Sequence, residues 1–112
     1  SRGLGDVYKR QPFITAVIKI VEENICEADF SVKKLAAEMN MSQPTLYRKV
    51  KQSTDYTIIE LIRGVRMRRA GVLLKTKQYA VQEVAEMVGY NDIPTFRKHF
   101  VDAFGTTPST YE

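Results

Sequence analysis

Two stretches decide the fold: Val32-Lys33-Lys34-Leu35-Ala36 with Pro44-Thr45-Leu46-Tyr47-Arg48-Lys49-Val50, and Val81-Gln82-Glu83-Val84-Ala85 with Pro94-Thr95-Phe96-Arg97-Lys98-His99-Phe100. The leading segments lie 49 residues apart and the trailing ones 50. The second copy therefore carries one extra residue in its turn, Gly89-Tyr90-Asn91-Asp92. The segments that follow also correspond, Asp55-Tyr56-Thr57 against Gly105-Thr106-Thr107. A repeated pattern of this length is a repeated supersecondary unit. Two copies are too few for a solenoid, so the chain reads as a pair.

Within the first copy, Ser31 is an N-cap, and Val32, Leu35, Ala36 and Met39 form the apolar face of a short helix. Asn40 suits the left-handed conformation that ends it. Ser42 caps again, and a second helix runs over 43–52. Pro44 is tolerated there because first-turn amides have no intrahelical acceptor. Leu46 and Val50 face inward. Helix, tight turn and helix make a helix-turn-helix, predicted at 31–52 and again at 80–104, with second helices at 43–52 and 93–104.

Outward from these units, Pro12 opens a helix whose stripe is Ile14, Val17, Ile18, Val21 and Ile25, with its end and turn between Asn24 and Asp29. A longer helix is predicted over 57–74. Its apolar side is Ile58, Leu61, Ile62, Val65, Leu73 and Leu74, and its polar side is Arg63, Arg66, Arg68 and Arg69. Gly64 and Gly71 weaken it by roughly 1 kcal/mol each relative to alanine, so tertiary contacts must hold it. Eighteen residues of helix rise about 27 Å, against about 34 Å between successive major grooves on one face of DNA. The expectation is an all-α, homeodomain-like domain over 12–112 with about seven helices, the last a short turn near Pro108. Residues 1–11 share no periodicity with the rest and read as a disordered linker or cloning scar.

The chain has 112 residues, 44% hydrophobic and 27% charged, which favours a folded domain over disorder. No apolar run is long enough to span a bilayer, and residues 1–6 lack the apolar core of a signal peptide, so no membrane contact is expected. One cysteine, Cys26, leaves no internal disulfide or multi-thiolate zinc site. It reads as a small packing residue. One histidine, His99, leaves no histidine-pair metal site. Paired carboxylates, nucleophile motifs and phosphate-cradling glycine loops are absent from the sequence. The expectations are no enzyme, no cofactor and no metal. The net charge of +4 is unevenly spread: residues 42–77 carry +7, while 1–41 are neutral and 78–112 carry −3. A central basic block points to a polyanionic partner.

The chain from about Phe13 to Tyr111 resembles the C-terminal DNA-binding domain of the AraC/XylS family of bacterial transcription regulators. The residues that carry the resemblance are Val84-Ala85, Val88-Gly89-Tyr90, Phe96, Lys98, Phe100, Phe104-Gly105, Pro108 and Tyr111. Arg66-Met67-Arg68-Arg69-Ala70-Gly71-Val72-Leu73-Leu74 is similar to the family's linker pattern. Glu23-Asn24-Ile25, Ala28-Asp29-Phe30-Ser31-Val32, Met41-Ser42 and Leu46-Tyr47-Arg48-Lys49 resemble one subgroup, the output domains of hybrid two-component sensor kinases from Bacteroides-like bacteria. There are departures. Asn40 stands where the family has glycine, Ala80 where it has a Ser/Thr cap, and Pro44 and Pro94 where it often has polar base-reading side chains. Loss of the cap at Ala80 should weaken that helix start by about 1 kcal/mol.

The resemblance implies sequence-specific binding of double-stranded DNA and transcription regulation in the cytoplasm, with the second helices in adjacent major grooves. It maps base contacts onto Gln43, Pro44, Thr45, Tyr47 and Arg48, and onto Ile93, Pro94, Thr95, Arg97 and Lys98. Arg48 has the planar fork that matches a guanine edge or a phosphate. Candidate phosphate contacts are Ser42, Lys49, Lys51, Arg66, Arg68 and His99. RNA polymerase is the implied further partner. No heptad seam is present, so the domain alone is expected to be monomeric and the full-length protein homodimeric. The competing reading is a basic helical module that docks an acidic protein.

Overall fold

The computed structural model describes residues 11–111. Residues 1–10, most of the expected linker or scar, lie outside the described residues. Among the described residues there are six α-helices, no strand, and a closing 3-10 turn at Pro108–Thr110. The helices are α1 (Pro12–Glu23), α2 (Val32–Glu38), α3 (Gln43–Ser53), α4 (Ile58–Lys75), α5 (Val81–Met87) and α6 (Ile93–Phe104). The fold is all-α and homeodomain-like, as the repeat implied.

The chain divides into two compact units. One comprises the described residues up to 24 together with 30–65. The other comprises 25–29 together with 66–111. The division falls within α4, between Val65 and Arg66.

The first unit has an aliphatic core. Ile14, Val17 and Val21 of α1, Leu35 of α2, Leu46 and Val50 of α3, and Ile58 and Leu61 of α4 are all fully buried. Local chemistry sets its boundaries. Ser31 and Ser42 each accept a backbone N–H of the third residue on, from Lys34 and Thr45. Asn40 adopts φ 56°, and the amide of Met41 reaches back to the Ala36 carbonyl at 3.1 Å. That is a Schellman ending, with asparagine supplying the left-handed residue. Thr54 is buried behind α3, where its hydroxyl donates to the Val50 carbonyl (2.9 Å) and accepts the Tyr56 amide (3.0 Å). Thr57 and Glu60 form a reciprocal capping box at the start of α4, with bonds of 3.1 and 2.8 Å.

The second unit has an aromatic core. Tyr90, Phe96, Phe100, Phe104 and Tyr111 form a chain of rings with centroids 4.5–5.9 Å apart. Gly71 is part of this packing rather than a simple weak point in α4. A Cβ there would lie 2.9 Å from the tip of the Phe104 ring and 3.4 Å from the Tyr111 hydroxyl oxygen. Gly89 is the left-handed residue of this unit's turn (φ 87°), and the Tyr90 amide reaches the Ala85 carbonyl at 2.8 Å. Both turns therefore close by the same geometry. Ala80 has no oxygen with which to cap α5, but Glu83 of the first turn accepts the Ala80 amide at 2.8 Å. Half of a capping box survives.

Candidate nucleic-acid interface

The start of α3 is fixed by Ser42, whose hydroxyl accepts the Thr45 amide (3.3 Å) and donates to the Thr45 hydroxyl (2.9 Å). Pro44 sits in the first turn. Because Leu46 and Val50 are fully buried, the 3.6-residue period turns positions 44, 48 and 51 outward. Gln43, Pro44, Arg48 and Lys51 are exposed, Tyr47 is 40% exposed, and Thr45 is half-buried. Arg48 makes no hydrogen bond or ion pair among the described residues, so its five N–H donors face solvent. Lys49 lies with its ammonium 5.0 Å from the centroid of the Phe13 ring, a cation–π contact that draws it toward α1. Lys51 donates to the Asp55 carbonyl at 3.0 Å, which ties it to the loop after α3.

In the second unit, Asp92 caps α6. Its Oδ2 accepts the Thr95 amide at 2.9 Å and the Thr95 hydroxyl as well. These bonds hold the Asp92 carboxyl below its ordinary range. Phe96 and Phe100 are fully buried, while Pro94, Thr95, Arg97 and Lys98 are exposed and Ile93 is half-buried. The half-buried His99 does not simply flank solvent. Its Nδ1 lies 2.6 Å from the Tyr90 hydroxyl, and its ring meets Tyr90 edge-on. Tyr90 thereby joins the turn of this unit to its second helix, a role that spacing gave no sign of.

Two expectations are corrected. Arg66 is not a phosphate contact on the polar side of α4. It is 6% exposed, and its guanidinium donates to the carbonyls of Ile25 (2.7 Å), Val88 (2.6 Å) and Glu27 (3.1 Å). Arg66 follows Ile62 and precedes Ala70 by one helical turn each, so it lies on the apolar stripe. That position is the signal in the sequence, and the charge of the side chain masks it. Desolvation lowers the pKa of Arg66 from its usual value, and the three carbonyls supply the acceptors that burial takes away. Cys26 is not a packing residue. It is exposed and lines a groove of about 300 Å³ with Gln82, Glu86 and Asn91. Arg68 is exposed, as are Arg63 and Arg69.

Each unit thus presents a second helix with a buried apolar stripe and an exposed cationic side. Among the described residues, no group of three or more His, Cys, Asp or Glu side chains is placed to hold a metal ion. No helix there is long and apolar enough to cross a membrane.

A family of helix-turn-helix domains matches residues 35–112 of the chain. The chain belongs to this AraC-type helix-turn-helix family. It is 32% identical over 102 residues to histidine kinase P4 of Formosa agariphila, a match covering 91% of this chain and 7% of the kinase. It is 31% identical over 99 residues to the Msm operon regulatory protein of Streptococcus mutans, covering 88% of this chain and 35% of that protein. Among solved structures it resembles the DNA-binding domain of AdpA, described as a global transcriptional factor, in complex with a target DNA. The TM-score is 0.79 at 31% identity, with 87% of this chain and 86% of that one covered. The chain spans about a third or less of the length of these curated relatives.

Proposed function

We propose that this chain binds double-stranded DNA in a sequence-specific manner and regulates transcription, with α3 and α6 each inserted into a major groove. The observation that carries the reading is the repeated presentation of exposed cations on the outer side of a capped second helix: Arg48 and Lys51 on α3, Arg97 and Lys98 on α6. A helix of this kind is sized for the major groove, and its cations meet base edges and phosphates. The complex of the AdpA domain with its target DNA supports the same use of the fold.

In this reading Arg48 and Tyr47 reach base edges from α3, and Arg97 and Lys98 flank them from α6. Gln43, Pro44, Thr45, Ile93, Pro94 and Thr95 form the tips that approach the bases. Ser42, Lys49, Lys51 and Arg68 hold phosphates. The domain works in the cytoplasm, performs no catalysis and takes no cofactor. It reports to RNA polymerase. Because the two helices come from non-identical copies in one chain, the site is asymmetric and covers two successive major grooves. The isolated domain is monomeric, and a signal acts by bringing two such domains together in the full-length protein. Likeness to a histidine kinase favours a two-component origin for that signal.

Selection of bound duplexes from a random pool, followed by footprinting of the winners, tests the reading. The expected result is one preferred asymmetric site protected over two grooves. Equal binding of all duplexes, or a strict need for a palindrome, would refute it. Tight dimerisation of the free domain in sedimentation would refute the proposed mode of activation.

A further inference from the structure

The two second helices begin on equivalent tripeptides, Gln43-Pro44-Thr45 and Ile93-Pro94-Thr95. In a helix docked in the major groove, the N-terminal turn comes nearest the base edges. What the two tips can exchange with a base is different. Gln43 is exposed and carries an amide with donors and an acceptor, the pattern that fits adenine. Ile93 in the same place has neither. Pro94 has no N–H and no polar side-chain atom. Thr95 has one O–H, and that is donated to Asp92 Oδ2, the oxygen that also accepts the Thr95 amide. Beyond the capping bond, Thr95 has no donor left and offers its methyl group beside the acceptor lone pairs of its hydroxyl. The tip of α6 therefore lacks a free side-chain donor and is mostly hydrocarbon, with Pro94 and Thr95 exposed and Ile93 half-buried.

A tip of this kind strips water from base edges and returns no hydrogen-bond donor, which is unfavourable against most base pairs. One major-groove group gains from it, the C5-methyl of thymine, which is read by apolar contact. We infer that the Ile93-Pro94-Thr95 tip selects thymine methyl groups, so that the two halves of the site are read by different chemistry: hydrogen bonding at α3, apolar contact at α6. The inference rests on the DNA-binding reading above and adds the specificity of its second half.

The test uses the whole chain and the duplex it selects from a random pool. Each thymine is replaced in turn by deoxyuridine, which removes only the methyl. One or two positions in one half of the site should lose roughly three- to tenfold in affinity, the worth of one buried methyl-sized group. 5-Methylcytosine in place of cytosine at a T-to-C variant of those positions should recover part of the loss. Thr95→Ser keeps the hydroxyl and the cap but lacks the methyl, and should become indifferent to deoxyuridine at one of them. Ile93→Gln should shift one preference toward adenine, in imitation of Gln43. A selected duplex that binds equally well with every thymine replaced overturns this inference and leaves the DNA-binding reading standing. A pool with no preferred duplex overturns both.

Discussion

The two helix-turn-helix units share a fold and are stabilised by different means. In the first, the core is aliphatic, and the second helix ends on a buried threonine that bonds back to its own last turn. In the second, five rings line the core, the second helix ends on left-handed Gly105, and a buried arginine ties three backbone carbonyls together. The outer surfaces diverge in the opposite sense. α3 carries Arg48, Lys49 and Lys51 with no acid between Gln43 and Ser53, while α6 carries Arg97 and Lys98 with Asp102, behind an Asp92 cap. The ring cluster and the buried arginine lie in the second unit, and the denser run of exposed cations lies on the second helix of the first. A duplicated unit can divide labour in this way, because residues that fill a core and residues that face a groove lie on opposite sides of one helix.

Arg66 is where the comparison breaks most sharply. Arg66→Met keeps most of the side-chain volume but leaves the carbonyls of Ile25 and Val88 buried without their donor, and that of Glu27 half-buried. Each such orphaned group costs about 1–3 kcal/mol, so urea denaturation should show a loss of about 3–5 kcal/mol after partial rescue by water. DNA affinity per folded molecule should change far less. A variant that folds normally but loses steep salt dependence would restore Arg66 to the phosphate-contacting set.

The equivalent left-handed turn residues come next. At Gly89 a Cβ would overlap the Arg66 guanidinium and the Ile25 carbonyl oxygen, and the positive φ is itself unfavourable for alanine. Gly89→Ala should destabilise the domain by at least about 2 kcal/mol. Asn40→Gly at the matching turn should stay within about 1 kcal/mol of the parent, because asparagine there already tolerates the conformation. Thermal denaturation of both variants settles the contrast. Equal shifts would mean that the Arg66 bonds are not what makes Gly89 indispensable.

What the sequence made legible follows from how far each cause acts along the chain. The 49-residue repeat, the apolar stripes, the Ser31 and Ser42 caps and the left-handed Asn40 are local, and a local pattern is enough to read them. The environment of Arg66 is not local. Its acceptors lie 22, 39 and 41 residues away. Gly71 likewise reads as a weak point in a helix until Phe104 and Tyr111 are seen against it, more than thirty residues on. The cationic side of α3 was legible because Leu46 and Val50 fix which way the helix faces. The Tyr90–His99 pair was not, since a turn residue and a helix residue meet there through tertiary packing.

On the binding side, Arg48 and Lys98 occupy equivalent positions under the 50-residue offset, but only arginine has a planar fork matched to a guanine edge. Arg48→Ala should cost about 1–3 kcal/mol and relax preference at one base position. Lys98→Ala should cost less and act evenly across sequences. Lys51→Ala should weaken all duplexes alike and reduce the salt slope by about one. These are measured against a site library at several salt concentrations. If Arg48→Ala weakens every duplex equally and changes only the salt slope, Arg48 is a phosphate clamp, and the reading role passes to Tyr47, Thr45 or the second unit.

The smallest expected effect separates the two caps of the second helices by pH. Ser42 does not titrate, whereas Asp92 caps as a carboxylate whose pKa in the folded chain is pulled below the ordinary aspartate value of 3.8 by the Thr95 side-chain and backbone bonds. A group with a lowered folded pKa binds its proton more readily in the unfolded chain. Its stabilising contribution is therefore complete above the ordinary value and is lost as pH falls through the folded one. Glu60, in the capping box with Thr57, is lowered in the same direction and contributes over the same acid range. Asp92→Asn keeps a capping oxygen but removes the charge and the titration. At neutral pH it should lower the melting temperature slightly, and the gap from the parent should close as pH drops below 3.8. Glu60→Gln as a second variant removes the other acid-sensitive cap, and Ser42→Ala should give a gap that pH leaves unchanged through this cap. If the Asp92→Asn gap is the same in acid as at neutrality, the carboxylate charge does not stabilise α6, and the two caps differ in shape alone.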